Sequence, residues 1–524
     1  LERLLAELFE QRAAPDASAA AVGRWVLAAT ILGSSMAFID GTVVNVALPV
    51  LQTDLQATVA QVQWVVELYT LFLSALILVG GSLGDLVGRR RIFASGIALF
   101  TVASIWCGFA PTIGQLILAR AVLGVGGALL VPNSLALISA AFRTEERGRA
   151  IGVWSAFTAI TTAIGPVLGG YLVERASWRW VFFINAPIAL AVLAILAWRV
   201  PESRDEQAVR RLDWPGALLA TLGLGGLVYG LIESAARGLS DALVLAGLIG
   251  GALALALFVV VELRSSAPMI PLDLFRSRTF SGANLLTLLL YAALGATFFF
   301  LPFNLIQVQG YTPAQAGAAL LPLTALLFTL SRWSGGLVSR YGARLPLIVG
   351  PLIAALGFAL FMLPGIGGSY WTAFFPAVLV LSLGMAVTVA PLTATVMGAV
   401  DARHAGIASG INNAVSRTAG LVAIAVLGLA MIAAFGRSLE QRLAALDLAP
   451  DVRQEILTQR ARLAEIELPG DLSAAQRDSL AQTIDQSFVD GFRLVMLVNA
   501  LLGLASAGSA MLLIDRGRPA ARSG

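Results

Sequence analysis

The feature that most constrains this chain is the recurrence of apolar runs long enough to cross a membrane. One is DALVLAGLIGGALALALFVVVE at 241–262, which carries charge only at its ends. A hydrocarbon core about 30 Å thick needs roughly 20 apolar residues in helical form, because inside it every backbone N–H and C=O must be satisfied within the segment. Comparable runs occur at 24–48, 62–84, 92–110, 114–140, 149–172, 179–199, 214–232, 281–308, 313–338, 345–364, 371–397, 405–434 and 489–514. Over the 524 residues, 58% are hydrophobic and only 13% charged, too apolar for a surface wetted on all sides. The sequence therefore predicts an all-α integral membrane protein of about fourteen transmembrane helices, with the bilayer as its solvent.

An even number of spans puts both termini on one side. With the N-terminus inside, the inner tails and loops carry about 22 arginines, among them Arg89 to Arg91, Arg210 and Arg211, while the short outer loops carry about three: Arg175, Arg179 and Arg237. Both termini are thus expected in the cytoplasm. Residues 1–23 form a cytoplasmic N-terminal segment beginning with a short amphipathic piece, and 515–524 a cytoplasmic tail. The long outward segment 436–488 is mixed in charge and helix-prone; it is expected to form an extracytoplasmic helical hairpin outside the transport path.

All 35 basic residues are arginine, and the net charge of +4 is a matter of loop placement rather than a nucleic-acid signal. A single cysteine, Cys107, and a single histidine, His404, supply no disulfide framework, thiolate cluster or histidine metal site. No nucleophile and base constellation stands out, so no enzyme, cofactor or metal is expected, and without a Walker loop ion coupling is the natural energy source for any transport.

One internal echo organises the chain. GSLGDLVGRR closes the second span and GGLVSRYGAR the tenth, aligning Gly81 with Gly335, Gly88 with Gly342 and Arg90 with Arg344. Two related halves follow: six helices over 24–199, two inserted helices and linkers over 200–280, and six helices over 281–514. Repeated halves about a central cavity are the architecture of alternating access.

The polar residues inside the spans are the functional candidates, because a charge at the centre of a membrane helix costs roughly 2.5 to 3.5 kcal/mol on insertion scales. Asp40 lies in MAFIDGTVVNVALP of the first span, Glu67 in the second and Arg120 in the fourth. A buried guanidinium cannot shed its proton and needs acceptors, for which both Asp40 and Glu67 are candidates, Asp40 about a turn deeper than the other two. A static ion pair and a proton-handling pair both remain open. The second half has no clear membrane carboxylate but contains Arg332, expected to snorkel, and Arg417, expected to face the interior with Asn412, Asn413 and Ser416. Asn45, Asn284, Tyr291, Asn304 and Gln307 complete the residues expected to line a substrate cavity.

In GSLGDLVGRRR, Gly81 and Gly84 permit close helix contact, Gly88 a tight turn, and Asp85 can cap a neighbouring helix start and pair with an arginine. In AIGPVLGGYL, Gly165 and Gly169 share one helix face and Pro166 strains the local ladder. These two stretches, with FIDGTVVNVALP and LILARAVLGVGGALLVPNS in the first and fourth spans, resemble the major facilitator superfamily, in its fourteen-helix drug/proton antiporter branch. The resemblance covers nearly the whole chain. It implies a major facilitator fold and a monomer of the bacterial inner membrane. It makes the loop bearing Gly81, Asp85, Gly88 and Arg89 a cytoplasmic latch favouring the outward-open state, although Ser339 replaces the aspartate in the second copy. It makes Gly165, Pro166, Gly169 and Gly170 an antiporter motif where the halves meet, and it implicates Arg120 in proton coupling. The expected activity is proton-coupled export of amphipathic small molecules, multidrug efflux in particular; the alternative is export or flipping of an endogenous lipid, glycolipid or metabolite.

Overall fold

The computed structural model describes residues 17–204, 213–265, 268, 270–401, 405–446, 448–469 and 472–515. The amphipathic N-terminal piece, Arg210, Arg211, His404, the tail after Asp515 and the side chain of Arg332 lie outside the described residues. In chain order the principal helices are α1 (Ala17–Asp54), α2 (Val59–Val87), α3 (Arg89–Phe109), α4 (Ile113–Ala141), α5 (Thr144–Arg175), α6 (Trp180–Arg199), α7 (Trp214–Arg237) and α8 (Ala242–Arg264). There follow α9 (Arg278–Val308), α10 (Pro313–Ala318 continued by Leu321–Gly335), α11 (Arg344–Leu360), α12 (Phe375–Gly398), α13 (Ala405–Leu443) and α14 (Ala474–Leu513). Among the described residues, twelve helices are long and apolar enough to cross a membrane, and α11 is a shorter apolar helix. The remaining predicted span falls on α5, 32 residues long. No strand occurs among the described residues.

The two halves share one packing plan. In the first, α1 packs on α5 and α6, and α4 on α2 and α3; in the second, α9 packs on α13 and α14, and α12 on α10 and α11. The aligned glycines behave alike: Gly88 ends α2 at φ 132° and Gly342 ends the short helix Leu337–Tyr341 at φ 75°, a backbone region that favours residues without a Cβ. The inserted helices α7 and α8 pack on each other, and α7 straddles the seam between the halves. There Val228 and Ile232 of α7 are buried with Leu71 of α2 and with Leu421 and Ala425 of α13, and the Trp64 indole donates to Glu233 at 3.3 Å.

The bundle has a terminal face, where α1 starts and α14 ends, and an opposite far face. The halves meet toward the far face. Gln307 donates to the Gln52 side chain at 3.1 Å, Gln63 to the Ile424 carbonyl at 3.2 Å, and the Ala314 N–H to Glu174 at 3.3 Å. Segment 436–488 is part of this closure rather than a free-standing hairpin. It includes the ends of α13 and α14, and between them a helix, Pro450–Thr458, and a 3₁₀ turn, Arg460–Glu465, fold back over the far face. Ile456, Leu463 and Ile466 are buried, and the Arg462 carbonyl accepts from Gln52 of α1 at 3.2 Å. The apolar residues of this stretch, diluted among charges, give no membrane-length run but are enough to anchor it.

Candidate functional site

Between the halves lies a cavity of about 890 Å³, walled by α1, α5, α9, α10, α12 and α13. It reaches Val396, Met397 and Ser409, near the terminal-face ends of α12 and α13, so it extends toward that face while the far face is bridged. Its walls are largely apolar, with Phe38, Phe298, Phe328 and Met385 among them, and carry scattered hydrogen-bonding groups. Such a mixture, many apolar contacts and few polar anchors, suits small amphipathic ligands. Arg417 is the charged side chain on the wall among the described lining residues.

Of the residues expected on the cavity wall, Asn45, Tyr291, Asn412, Asn413 and Arg417 line it. Three do not. Asn284 faces a second cavity beyond the α9–α13 seam, where its side-chain oxygen accepts from Asn412 at 3.1 Å. Asn304 and Gln307 sit in a π-helical turn, Asn304–Val308, that follows Pro302. That turn carries them into the far-face closure, Gln307 toward Gln52 and Asn304 toward Gln309 at 3.2 Å. Cavity residues the sequence did not single out include Thr158, Thr162, Thr324 and Thr393, whose small hydroxyls at scattered positions give no sequence signal.

Beside this cavity, and sealed from it, is a buried ion pair. Asp40 is 0% exposed and Arg120 1%, with Arg120 Nη1 2.5 Å from Asp40 Oδ2. Besides Asp40, the guanidinium has two further contacts: Nε donates to the Val65 carbonyl at 2.8 Å and Cζ stands 4.2 Å above the Tyr69 ring, whose hydroxyl in turn donates to the Ala37 carbonyl at 3.3 Å. Ala37 and Gly41, the α1 residues flanking Asp40, line the cavity. The other carboxylate oxygen, Oδ1, has no hydrogen-bond partner among the described residues.

Of the two acceptors open to Arg120, the structure thus selects Asp40. Glu67 is 0% exposed, and neither carboxylate oxygen has a hydrogen-bond partner among the described residues. It lies one helical turn from Gln63, which bonds α13, and so belongs to the α2 side turned from Arg120. A buried carboxyl without a partner is expensive when ionised.

The α5 motif works on two faces. A Cβ on Gly165 would meet Thr42 Oγ1, and one on Gly169 would come 2.8 Å from the Val43 carbonyl, so these glycines seat α5 against the α1 stretch that carries Asp40. Pro166 and Gly170 instead face the other half. The backbone of Gly170 abuts Pro313, with Ala314 Cα 2.7 Å from where its Cβ would stand, and the backbone of Gly317 abuts the Pro166 carbonyl. One short motif therefore touches both the helix bearing the buried acid and the opposite half.

In the α2–α3 loop, Asp85 pairs with Arg89 at 2.7 Å and does not cap a neighbouring helix. That task falls to Glu202, beyond α6, whose oxygens accept from the N–H groups of Arg90 at 3.0 Å and Arg91 at 3.2 Å at the start of α3. Arg90 also donates to the Val200 carbonyl at 2.9 Å. Gly81 rests beside Pro132 of α4.

Two halves repeating one packing plan, an inserted helical pair at their seam and a central cavity define a multi-pass transporter of the alternating-access type. The Major Facilitator Superfamily pattern matches residues 30–424, and the chain belongs to that superfamily. It is 36% identical over 490 residues to the multidrug resistance protein Stp of Mycobacterium tuberculosis, covering 90% of this chain and 88% of that one. It is 32% identical over 488 residues to the tetracenomycin C resistance and export protein of Streptomyces glaucescens, covering 93% and 90%. In fold it is similar to a bacterial homologue of the human lysosomal transporter Spinster in an inward-facing, occupied conformation, with a TM-score of 0.66, 18% identity and coverage of 94% and 96%.

Proposed function

We propose that this protein is a proton-coupled antiporter of the bacterial cytoplasmic membrane, both termini cytoplasmic, that exports amphipathic small molecules, drugs among them, by alternating access of the two halves, 24–199 and 281–514. The resistance and export proteins it resembles support this reading. The observation that carries the coupling is the sealed Asp40–Arg120 pair between α1 and α4, with α1 backed by α5 glycines whose neighbours touch the opposite half. Protonating Asp40 removes the charge that holds Arg120, freeing α1 and α4 to shift; because α5 is seated on the same α1 segment, that shift reaches the contact between the halves. Glu67, buried on the α2–α13 side, is the second proton carrier. The Asp85–Arg89 loop is the latch, its two charged residues paired with each other in this conformation.

Arg417 gives the cavity wall a positive charge, which favours cargo carrying an anionic or zwitterionic group. The same feature keeps an endogenous lipid or glycolipid as the second reading. The test is dye and lipid transport in reconstituted vesicles under an imposed proton gradient, with binding measured from about pH 5 to 9, a range that spans ordinary and raised carboxyl pKa values. Wild-type affinity should depend on pH and the Asp40→Asn variant should lose that dependence; an unchanged profile in both Asp40→Asn and Glu67→Gln overturns the coupling assignment.

A further inference from the structure

A second cavity, of about 430 Å³, lies outside the central one and at the level of the membrane-spanning helices. Its walls come from both halves and from the inserted pair: Leu78 of α2, Leu224 of α7, Leu255 of α8, Leu288 of α9 and Val415 of α13. Ile270 and Phe275, in the connection between α8 and α9, close its terminal-face end. These positions fall in the terminal-face half of their helices, the level of a single leaflet. The size is within the roughly 300–1,000 Å³ of small-molecule pockets. Leu285 and Leu288 are 39% and 38% exposed, so the cleft has accessible apolar wall rather than packed core.

Two observations make this more than an apolar cleft. Ser74 on its α2 wall is 6% exposed, and its hydroxyl has no hydrogen-bond partner among the described residues. A buried hydroxyl left unpaired costs on the order of 1–3 kcal/mol, which a ligand's polar group would recover. On the opposite wall, Asn412 links the two cavities across the α9–α13 seam. Asn412 lines the central cavity, while its amide donates to Asn284 Oδ1 at 3.1 Å, on the second cavity's wall, and to Thr287 Oγ1 at 2.7 Å. Ile411, just before it on α13, and Ala414, two residues after it, face the second cavity, while Asn413 lines the central one.

We propose that this second cavity is a lateral vestibule that binds the apolar body of an amphipathic cargo entering from the bilayer, with Ser74 taking its hydrogen-bonding group and Asn412 as the movable partition to the central cavity. The proposal deepens the exporter reading by giving it an entry route. The inserted helices α7 and α8 then serve as the outer wall of that route, and a rotamer change at Asn412, which exchanges two side-chain hydrogen bonds for bonds to cargo, opens the passage.

The test is photolabelling in proteoliposomes with a zwitterionic long-chain N-alkylglycine bearing a diazirine, with adducts mapped by peptide mass spectrometry. Adducts should fall on Leu285, Leu288, Ile411 and Val415. Filling the vestibule by Ala414→Trp, or independently by Leu288→Trp should one variant misfold, should cut that labelling about fivefold or more, the effect of at least 1 kcal/mol of overpacking. Excess unlabelled N-alkylglycine should compete, and phosphatidylglycerol should not. Adducts confined to the outer face of α8 at Leu253 and Leu257, or undiminished in both filled variants, overturn the proposal, and equal competition by phosphatidylglycerol makes the cleft a resident-lipid site instead. Labelling needs no proton gradient, so its failure sinks the vestibule alone, whereas intact labelling with gradient-independent transport sinks the coupling assignment alone.

Discussion

Gly170→Ala gives a direct test of how the halves close. The added Cβ would clash with the Pro313 carbonyl and stand 2.7 Å from Ala314 Cα, both backbone, so no side-chain rotation relieves it. Overpacking of this kind costs about 1–3 kcal/mol. Because the contact exists only when the far face is closed, the cost falls on that state alone and shifts the ratio of the two states by roughly 5- to 150-fold toward far-face opening. Cys107 is fully buried, so a Cys107-containing background is quiet toward maleimides, and an Asn45→Cys reporter places one reactive thiol on the cavity wall. Impermeant maleimide added to intact cells should label that thiol at least about fivefold faster in Gly170→Ala than in the parent. Gly250→Ala in α8 is the control, since its Cβ would meet nothing within 4 Å and labelling should not change. Equal labelling in all three proteins, or slower labelling in Gly170→Ala, refutes the closure geometry.

Asp40→Asn should also destabilise the fold by about 3–5 kcal/mol, because Arg120 is left as an uncompensated buried charge, and Asp40→Asn with Arg120→Met should regain thermal stability in detergent without regaining proton-driven transport. Glu202→Gln weakens two charge-assisted caps on α3 and should lower stability by about 0.5–2 kcal/mol, read as a lower melting temperature, with the cavity intact. Replacing 448–469 by a flexible linker exposes the surface covered by Ile456, Leu463 and Ile466 and removes the Arg462 acceptor of Gln52. Faster labelling of the Asn45→Cys reporter from outside is expected, and unchanged labelling would return the segment to a bystander role.

The helices were legible because bilayer thickness fixes how long an apolar run must be, and the repeat was legible because a turn that needs a glycine twice keeps that glycine twice, as at Gly88 and Gly342. The buried pair was half legible. Depth set Glu67 level with Arg120 and Asp40 about a turn deeper, and only the rotation of α2 about its axis turns Glu67 elsewhere. Rotation is the coordinate that hydropathy leaves undetermined in helices apolar all round, since the period-3.6 signal that would orient them is absent. The same gap misassigned Asn284, while Asn304 and Gln307 were displaced by a local π turn that residue type does not announce. Glu202 was invisible for a different reason: its partners are backbone N–H groups more than a hundred residues away.

The meeting of α5 and α10 constrains the kind of motion available. Pro166 and Gly170 are four residues apart on one helix, Pro313 and Gly317 four apart on the other, and each glycine receives the opposing proline's backbone. Two teeth per helix at equal spacing act as an index. Sliding α5 by one turn would set Pro166 or Glu174, each with a side chain, where Gly170 meets the Pro313 and Ala314 backbone and no Cβ fits, so translation along the helix axes is opposed while tilting about the crossing is not. Gears that mesh without lubricating side chains keep their phase through many cycles, and a pump that never slips a tooth returns to the same closed geometry whatever shape of cargo has just passed through.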